Sequence, residues 1–154
     1  MFNLNEKEDL YAELFPVGDD LYLGVTYEVI GRDIAGKEYR FPSETNLLAT
    51  LPGTKLVVAR GTIKIIQGVI CSLEELYTDK NYRKQGYASK ILKYCIDSGL
   101  EYILCLSDNY EALALYNRFG FSIACTDPLG SIYILERKSK YEHWNEKWIC
   151  ISNW

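Results

Sequence analysis

From Lys55 onward the chain changes its hydrophobic pattern several times, and each change predicts an element. Leu56-Val57-Val58-Ala59 is a short apolar run, Gly61-Thr62 reads as a turn, and Ile63-Lys64-Ile65-Ile66 and Val69-Ile70-Cys71 continue as β-type sequence. Leu73-Glu74-Glu75-Leu76-Tyr77 ends the last of these, so three strands are expected between residues 54 and 78. From Gly86 the period lengthens. Ala88, Ile91, Leu92, Cys95 and Ile96 fall at the spacing of a helix with one buried face, and Gly99 is its stop. Tyr102 to Leu106 is a continuous apolar run, the pattern of a strand covered on both sides. Asp108 or Asn109 can cap a second helix, whose buried face is Ala112, Leu115, Tyr116 and Phe119 before Gly120. Phe121-Ser122-Ile123-Ala124 and Ile132-Tyr133-Ile134-Leu135 follow as strands.

Strands alternating with helices imply a parallel crossover, here extended by antiparallel strands, so the fold class is mixed α/β. Leu21 to Val29 also reads as a strand, without a place in the sheet. All three tryptophans, Trp144, Trp148 and Trp154, lie in the last eleven residues. That tail is expected to form an extra strand, either packed on the sheet or making the subunit contact of a homodimer.

Composition narrows the classes. A chain of 154 residues with 48% hydrophobic and 25% charged residues suits one globular domain spanning 1–154. Its longest greasy stretch, Ile63 to Leu73, is interrupted by Lys64 and Gln67, so no membrane span is expected. The first residues have neither a basic n-region nor an apolar core, so no signal peptide is expected. The five cysteines include no Cys-x-x-Cys pair and sit beside aliphatic residues, which suits buried, reduced thiols in the cytoplasm. With His143 as the one histidine, a metal site has little to build on. A net charge of −4 disfavours nucleic acid as the main partner.

The charge is uneven, however. From Asp79 to Lys93 there are five basic residues, Lys80, Arg83, Lys84, Lys90 and Lys93, against one acid. They surround Arg83-Lys84-Gln85-Gly86-Tyr87-Ala88, which joins a strand to a helix. A helix N-terminus offers unpaired N–H groups and the positive end of a dipole; Gly86 and small Ala88 let a bulky anion approach. The Walker-type and dinucleotide glycine patterns are absent from the sequence.

One strand later comes Asn109-x-x-Ala112-x-x-Leu115-Tyr116-x-x-x-Gly120-Phe121. Together with Arg83, Gly86 and Ala88 this resembles the GNAT superfamily of acyl-CoA N-acyltransferases, over roughly residues 55 to 137. The resemblance implies a single domain with a splayed mixed sheet and flanking helices, with 138–154 as an aromatic extension. It implies acetyl-CoA as acyl donor. Arg83, Lys84, Gln85, Gly86, Tyr87 and Ala88 would hold its pyrophosphate, and Leu76, Tyr77 and Thr78 its pantetheine arm. Asn109 either contacts the cofactor or only caps its helix. Lys80 stands where many members carry proline, which alters the stiffness of the turn.

Amide formation needs a neutral amine. For a lysine-like amine of pKa about 10.4, neutrality at pH 7 costs roughly 4–5 kcal/mol, so a base or water chain must help. Glu74, nine residues before Arg83, is the first candidate base. Glu75 points to the opposite face of a regular strand unless a bulge intervenes. The resemblance makes Tyr116 the acid toward the departing thiolate. Residues 1 to 53 hold ten acids and four bases, a sign that favours a cationic acceptor: an amine-bearing small molecule or a basic protein segment before any nucleic acid. The competing reading is a non-catalytic acyl-CoA-binding or partner-binding module that keeps the fold.

Overall fold

The computed structural model describes residues 2–6, 11 and 13–137. The tail expected to form an extra strand, with its tryptophans, His143 and Cys150, lies outside the described residues. The chain divides into two compact units, one through Leu100 and one beginning at Glu101.

The first unit contains β1 (Phe2–Asn3), β2 (Glu13–Gly18), β3 (Leu21–Arg32), β4 (Glu38–Thr50), β5 (Leu56–Ile66), β6 (Val69–Thr78) and helix α1 (Tyr87–Asp97). Strands β2 to β6 pair in chain order, each antiparallel to the next, and β1 adds to β5. The strand read at Leu21–Val29 thus finds its place as β3, between β2 and β4.

Two strands, not three, fill the stretch from Leu56 to Thr78. The turn between them is Gln67-Gly68, at φ 51° and 79°, a two-residue loop whose left-handed backbone matches the twist of the flanking strands. Gly61 and Thr62 lie inside β5 instead. The glycine is there for packing: a Cβ on it would stand 2.9 Å from Ile91 Cγ2 and 3.2 Å from Leu73 Cδ1. Helix α1 settles onto β4, β5 and β6 and buries Ile91, Leu92 and Cys95, as its spacing predicts. Burial pushes the Cys95 thiol up to about 12. Opposite α1, Leu48 belongs to a second cluster with Leu4, Tyr11 and Val57, against which Phe2, Leu14 and Tyr22 pack.

The second unit contains β7 (Tyr102–Leu106), α2 (Tyr110–Arg118), β8 (Phe121–Thr126) and β9 (Ile132–Arg137). Strand β9 lies between β7 and β8, antiparallel to both. The apolar run of β7 is not covered throughout: Ile103 and Cys105 are buried, while Tyr102 and Leu106 at its ends are exposed. Cys125, expected to be buried, is exposed on β8. Asp127 organises the β8–β9 turn by accepting from the Ile132 N–H at 2.8 Å and the Ser131 hydroxyl at 3.0 Å, which hold its carboxyl below the usual range. The fold class is the mixed α/β expected from the pattern. No helix among the described residues is long and apolar enough to cross a membrane.

Candidate active site

Strand β6 ends where the Asp79 N–H donates to the Val58 carbonyl at 2.8 Å. The chain then turns through a 3-10 segment, Lys80–Tyr82, capped by the Asp79 carboxylate, which accepts from the Asn81 N–H at 3.1 Å. Arg83 is extended and tied back to the strand it has just left. Its Nε donates to the Thr78 carbonyl at 3.1 Å, and its guanidinium lies 5.7 Å from the centre of the Tyr77 ring. Lys84 and Gly86 then adopt left-handed backbone, at φ 63° and 88°. Gly86 is the N-cap of α1.

This cap leaves the helix end open. No side chain caps α1, and its first turn holds no acid, while the first intrahelical bond runs from the Lys90 N–H to the Gly86 carbonyl at 3.0 Å. Helix α2 is the contrast: there Asn109 Oδ1 accepts from the Ala112 N–H at 3.2 Å. Unpaired N–H groups, the helix dipole and the exposed Lys80, Arg83, Lys84 and Lys93 point the same way, to an anion. A Cβ on Gly86 would meet nothing within 4 Å, so the space before the helix is open and the positive φ is what calls for glycine.

The predicted residues of this half of the site form one continuous path. Leu76 and Thr78 are half-buried at the end of β6 and Tyr77 is exposed; Gln85 is exposed in the loop, and Tyr87 and Ala88 are half-buried in the first turn of α1.

A bulge decides where the glutamates go. Thr62 pairs with Glu75 but Ile63 pairs with Leu73, so Glu74 is an extra residue on β6. Leu73 and Leu76, three apart, therefore both approach the Cβ position of Gly61 on the α1 side. Glu75 and Tyr77 fall on the face away from α1, with their partners Thr62 and Arg60. The regular-strand expectation for Glu75 is overturned by this bulge. Glu74 is exposed and makes no hydrogen bond or ion pair among the described residues, whereas Glu75 stands 3.7 Å from Arg60.

The face that Glu75 joins is polar at its centre. Thr62 donates to Asn46 Oδ1 at 2.9 Å, and Asn46 Nδ2 donates to Glu44 at 3.4 Å, with Asn46 and Thr62 both buried. Tyr11 lies over Gly24, whose added Cβ would come within 2.6 Å of the Tyr11 ring. Burial raises the Tyr11 hydroxyl pKa most; Arg60 opposes the rise and Glu44 adds to it. Sequence reasoning missed Tyr11, Asn46, Arg60 and Thr62. The one available signal was Asn46 standing directly before the apolar Leu47-Leu48-Ala49.

In the second unit, Tyr116 is buried on α2, and Asn109 caps that helix. Ala112, Leu115 and Phe119 are half-buried on the predicted face.

The family model for the acetyltransferase (GNAT) family matches residues 9–121. Among solved structures, Naa50 from Arabidopsis thaliana, in complex with the bisubstrate analogue CoA-Ac-MVNAL, is 20% identical with a TM-score of 0.51, over 61% of this chain and 72% of that one. Nourseothricin acetyltransferase is 11% identical with a TM-score of 0.52, over 86% of this chain and 92% of that one. IAA acetyltransferase from Bacillus cereus ATCC 14579 is 13% identical with a TM-score of 0.51, over 62% and 78%. At such identities the likeness is one of fold. No curated protein sequence matches significantly. The matched span covers both the open helix end at Gly86 and the Tyr116 helix, and on that ground the chain belongs to the acetyltransferase (GNAT) family.

Proposed function

We propose that this protein is an N-acetyltransferase that moves an acetyl group from acetyl-CoA to a primary amine by direct attack on the thioester. The observation that carries the reading is the uncapped start of α1, with Gly86 left-handed and basic side chains around it. These groups fit a pyrophosphate: N–H donors without a side-chain acceptor, open space in front and positive charge nearby. Naa50, which this chain resembles in fold, is in complex with a CoA-containing bisubstrate analogue, and that supports a CoA thioester as the donor.

When bound, acetyl-CoA supplies an activated acyl group. The chain's own residues do the rest. Arg83 through Ala88 hold the phosphates, and Arg83, tied to Thr78 and stacked near Tyr77, links that hold to the end of β6. Leu76, Tyr77 and Thr78 orient the pantetheine arm with their backbone, fixing the distance between amine and acyl carbon. A carboxylate on β6 takes the amine proton. Glu74 is the first candidate and Glu75, brought to the polar face by the bulge, is the second. Tyr116 returns a proton to the departing thiol. Asn109 already spends Oδ1 on its own helix, so a cofactor contact falls to its Nδ2. The acceptor is a cationic amine, free or on a basic protein segment, and the free thiols suit a cytoplasmic setting.

Calorimetric titration with acetyl-CoA tests this. Wild type should bind, and Gly86→Val should lose binding with its circular dichroism unchanged, because a β-branched residue at that φ re-aims the N–H groups. Wild-type affinity in Gly86→Val, or no affinity in wild type, refutes the reading. Binding without thiol release on an amine panel would favour the non-catalytic module.

A further inference from the structure

We propose that Glu44 and Tyr11 form a second cation seat for the acceptor, holding the unreacting ammonium of a diamine while its other nitrogen meets the thioester beside β6. The seat belongs to the acetyl-transfer site proposed above, and its use in catalysis rests on that reading. Strand β4 runs Asn46-Leu47-Leu48-Ala49, and all four residues are buried. Asn46 is 1% exposed, and a buried amide among apolar neighbours is costly unless its hydrogen bonds are made. Both of its ends are used. The Thr62 hydroxyl donates to Oδ1 at 2.9 Å, which leaves Nδ2 to donate to the Glu44 carboxylate at 3.4 Å. This buried relay therefore ends on an exposed carboxylate. No cation among the described residues forms an ion pair with Glu44, Lys64 on the neighbouring strand included.

Tyr11 is the second, independent sign of a ligand. It is 5% exposed, packs with Leu4, Leu48 and Val57, and lies over Gly24, the β3 partner of Asn46. Its hydroxyl has no hydrogen-bond partner among the described residues, yet it is not sealed inside. Among those residues the one fully buried side-chain polar atom without a partner is Thr50 Oγ1. Glu44 and Arg60 both act on the Tyr11 hydroxyl, with opposite effects, so it faces the polar patch. Arg60 has Glu75 at 3.7 Å, which leaves Glu44 as the unbalanced charge beside that hydroxyl. An ammonium suits such a place, since a carboxylate and a phenolic oxygen both accept from it. The tyrosine half of that contact already exists nearby: Lys55 Nζ donates to the hydroxyl of Tyr22, which packs on the same cluster as Tyr11, at 2.6 Å.

The span sets the class of acceptor. Asn46 pairs with Thr62, and Thr62 pairs with Glu75. The Glu44 carboxylate, held at Asn46, therefore stands two strand spacings from Glu75 on one face of the sheet, about 10 Å. The nitrogen that attacks the thioester at β6 must be neutral, whereas a second nitrogen at Glu44 keeps its charge and is held by it. An acceptor that uses both places carries two amines about 10 Å apart when extended. Holding the far nitrogen also orients the near one toward the acyl carbon. An acceptor with a single amine leaves Glu44 and Tyr11 unused.

Calorimetric titration tests the seat without reference to turnover. The probes are an α,ω-diamine whose extended nitrogens stand about 10 Å apart and the amino alcohol of the same chain length, each added to the full chain with and without CoA. Wild type should bind the diamine about tenfold more tightly than the amino alcohol. Glu44→Gln and Tyr11→Phe should each abolish that preference and leave acetyl-CoA affinity as in wild type. Glutamine keeps an oxygen for Asn46 and phenylalanine keeps the buried ring, so a lost preference belongs to the seat and not to the fold. A wild type that binds the two probes alike or binds neither, or a preference that survives in either variant, overturns the proposal. Absence of acetyl-CoA binding in wild type overturns the donor reading instead, and the titrations without CoA still decide the seat.

Discussion

At the residue scale the catalytic assignment divides between one buried and two exposed side chains. Tyr116 is 3% exposed, so Tyr116→Phe keeps the ring in its packing and removes only the hydroxyl. If Tyr116 supplies the proton for the leaving thiol, steady-state turnover should fall by ~10²-fold or more with the circular dichroism of the folded protein retained. Unaltered turnover would end that assignment. The two glutamates are separated by their pH profiles. Replacing the true base with glutamine should lower the rate near neutral pH and move the optimum upward, where an amine of pKa about 10.4 deprotonates unaided. Glu74→Gln and Glu75→Gln measured side by side should show the shift in one and not the other; flat profiles in both would mean that neither carboxylate is the base. As candidates these residues could be read from the sequence. Their directions could not, because one bulged residue reverses every side chain beyond it and no period announces it.

At the scale of elements, helix α1 and the glycine beneath it show what pattern reading can and cannot reach. The helical stripe Ile91, Leu92 and Cys95 was readable from spacing, and all three are buried. Gly61 looked like a turn because glycine is most often local punctuation. Here its reason is non-local: Ile91 stands 2.9 Å from where a Cβ would be. Gly61→Ala should therefore overpack the joint between β5 and α1 and destabilise the protein by about 1–3 kcal/mol. Urea unfolding would register the loss, and an alanine variant as stable as wild type would contradict that reading of the strand glycine. The same holds for the long β3–β4 hairpin. Its strand propensity is written in the sequence, but its extension beyond both neighbouring strands depends on where β2 and β5 stop pairing.

At the scale of the molecule, charge is unevenly distributed. The basic loop from Lys80 to Lys93 sits in an otherwise acidic chain, and the proposed cationic acceptor would be drawn to the ten acids of residues 1–53. Attraction of that kind is screened on the scale of the Debye length, about 8 Å at physiological salt. For a polyamine or basic peptide, apparent KM should rise several-fold as salt is raised, while KM for a neutral amine stays level. A salt-indifferent KM would remove the acidic surface from recognition.

The sequence by itself determined the class of fold, the order of its motif-bearing elements and the place of the basic, glycine-bearing loop before α1. Those features are local: a period, a cap, a glycine at a helix start, five bases between Lys80 and Lys93. Only the tertiary structure decided that Glu75 shares a face with Arg60, that Tyr11 closes over Gly24 and that Gly61 seats a helix. Each of these depends on strand register and on segments far apart in the chain, and register is a property of pairing that no single strand carries.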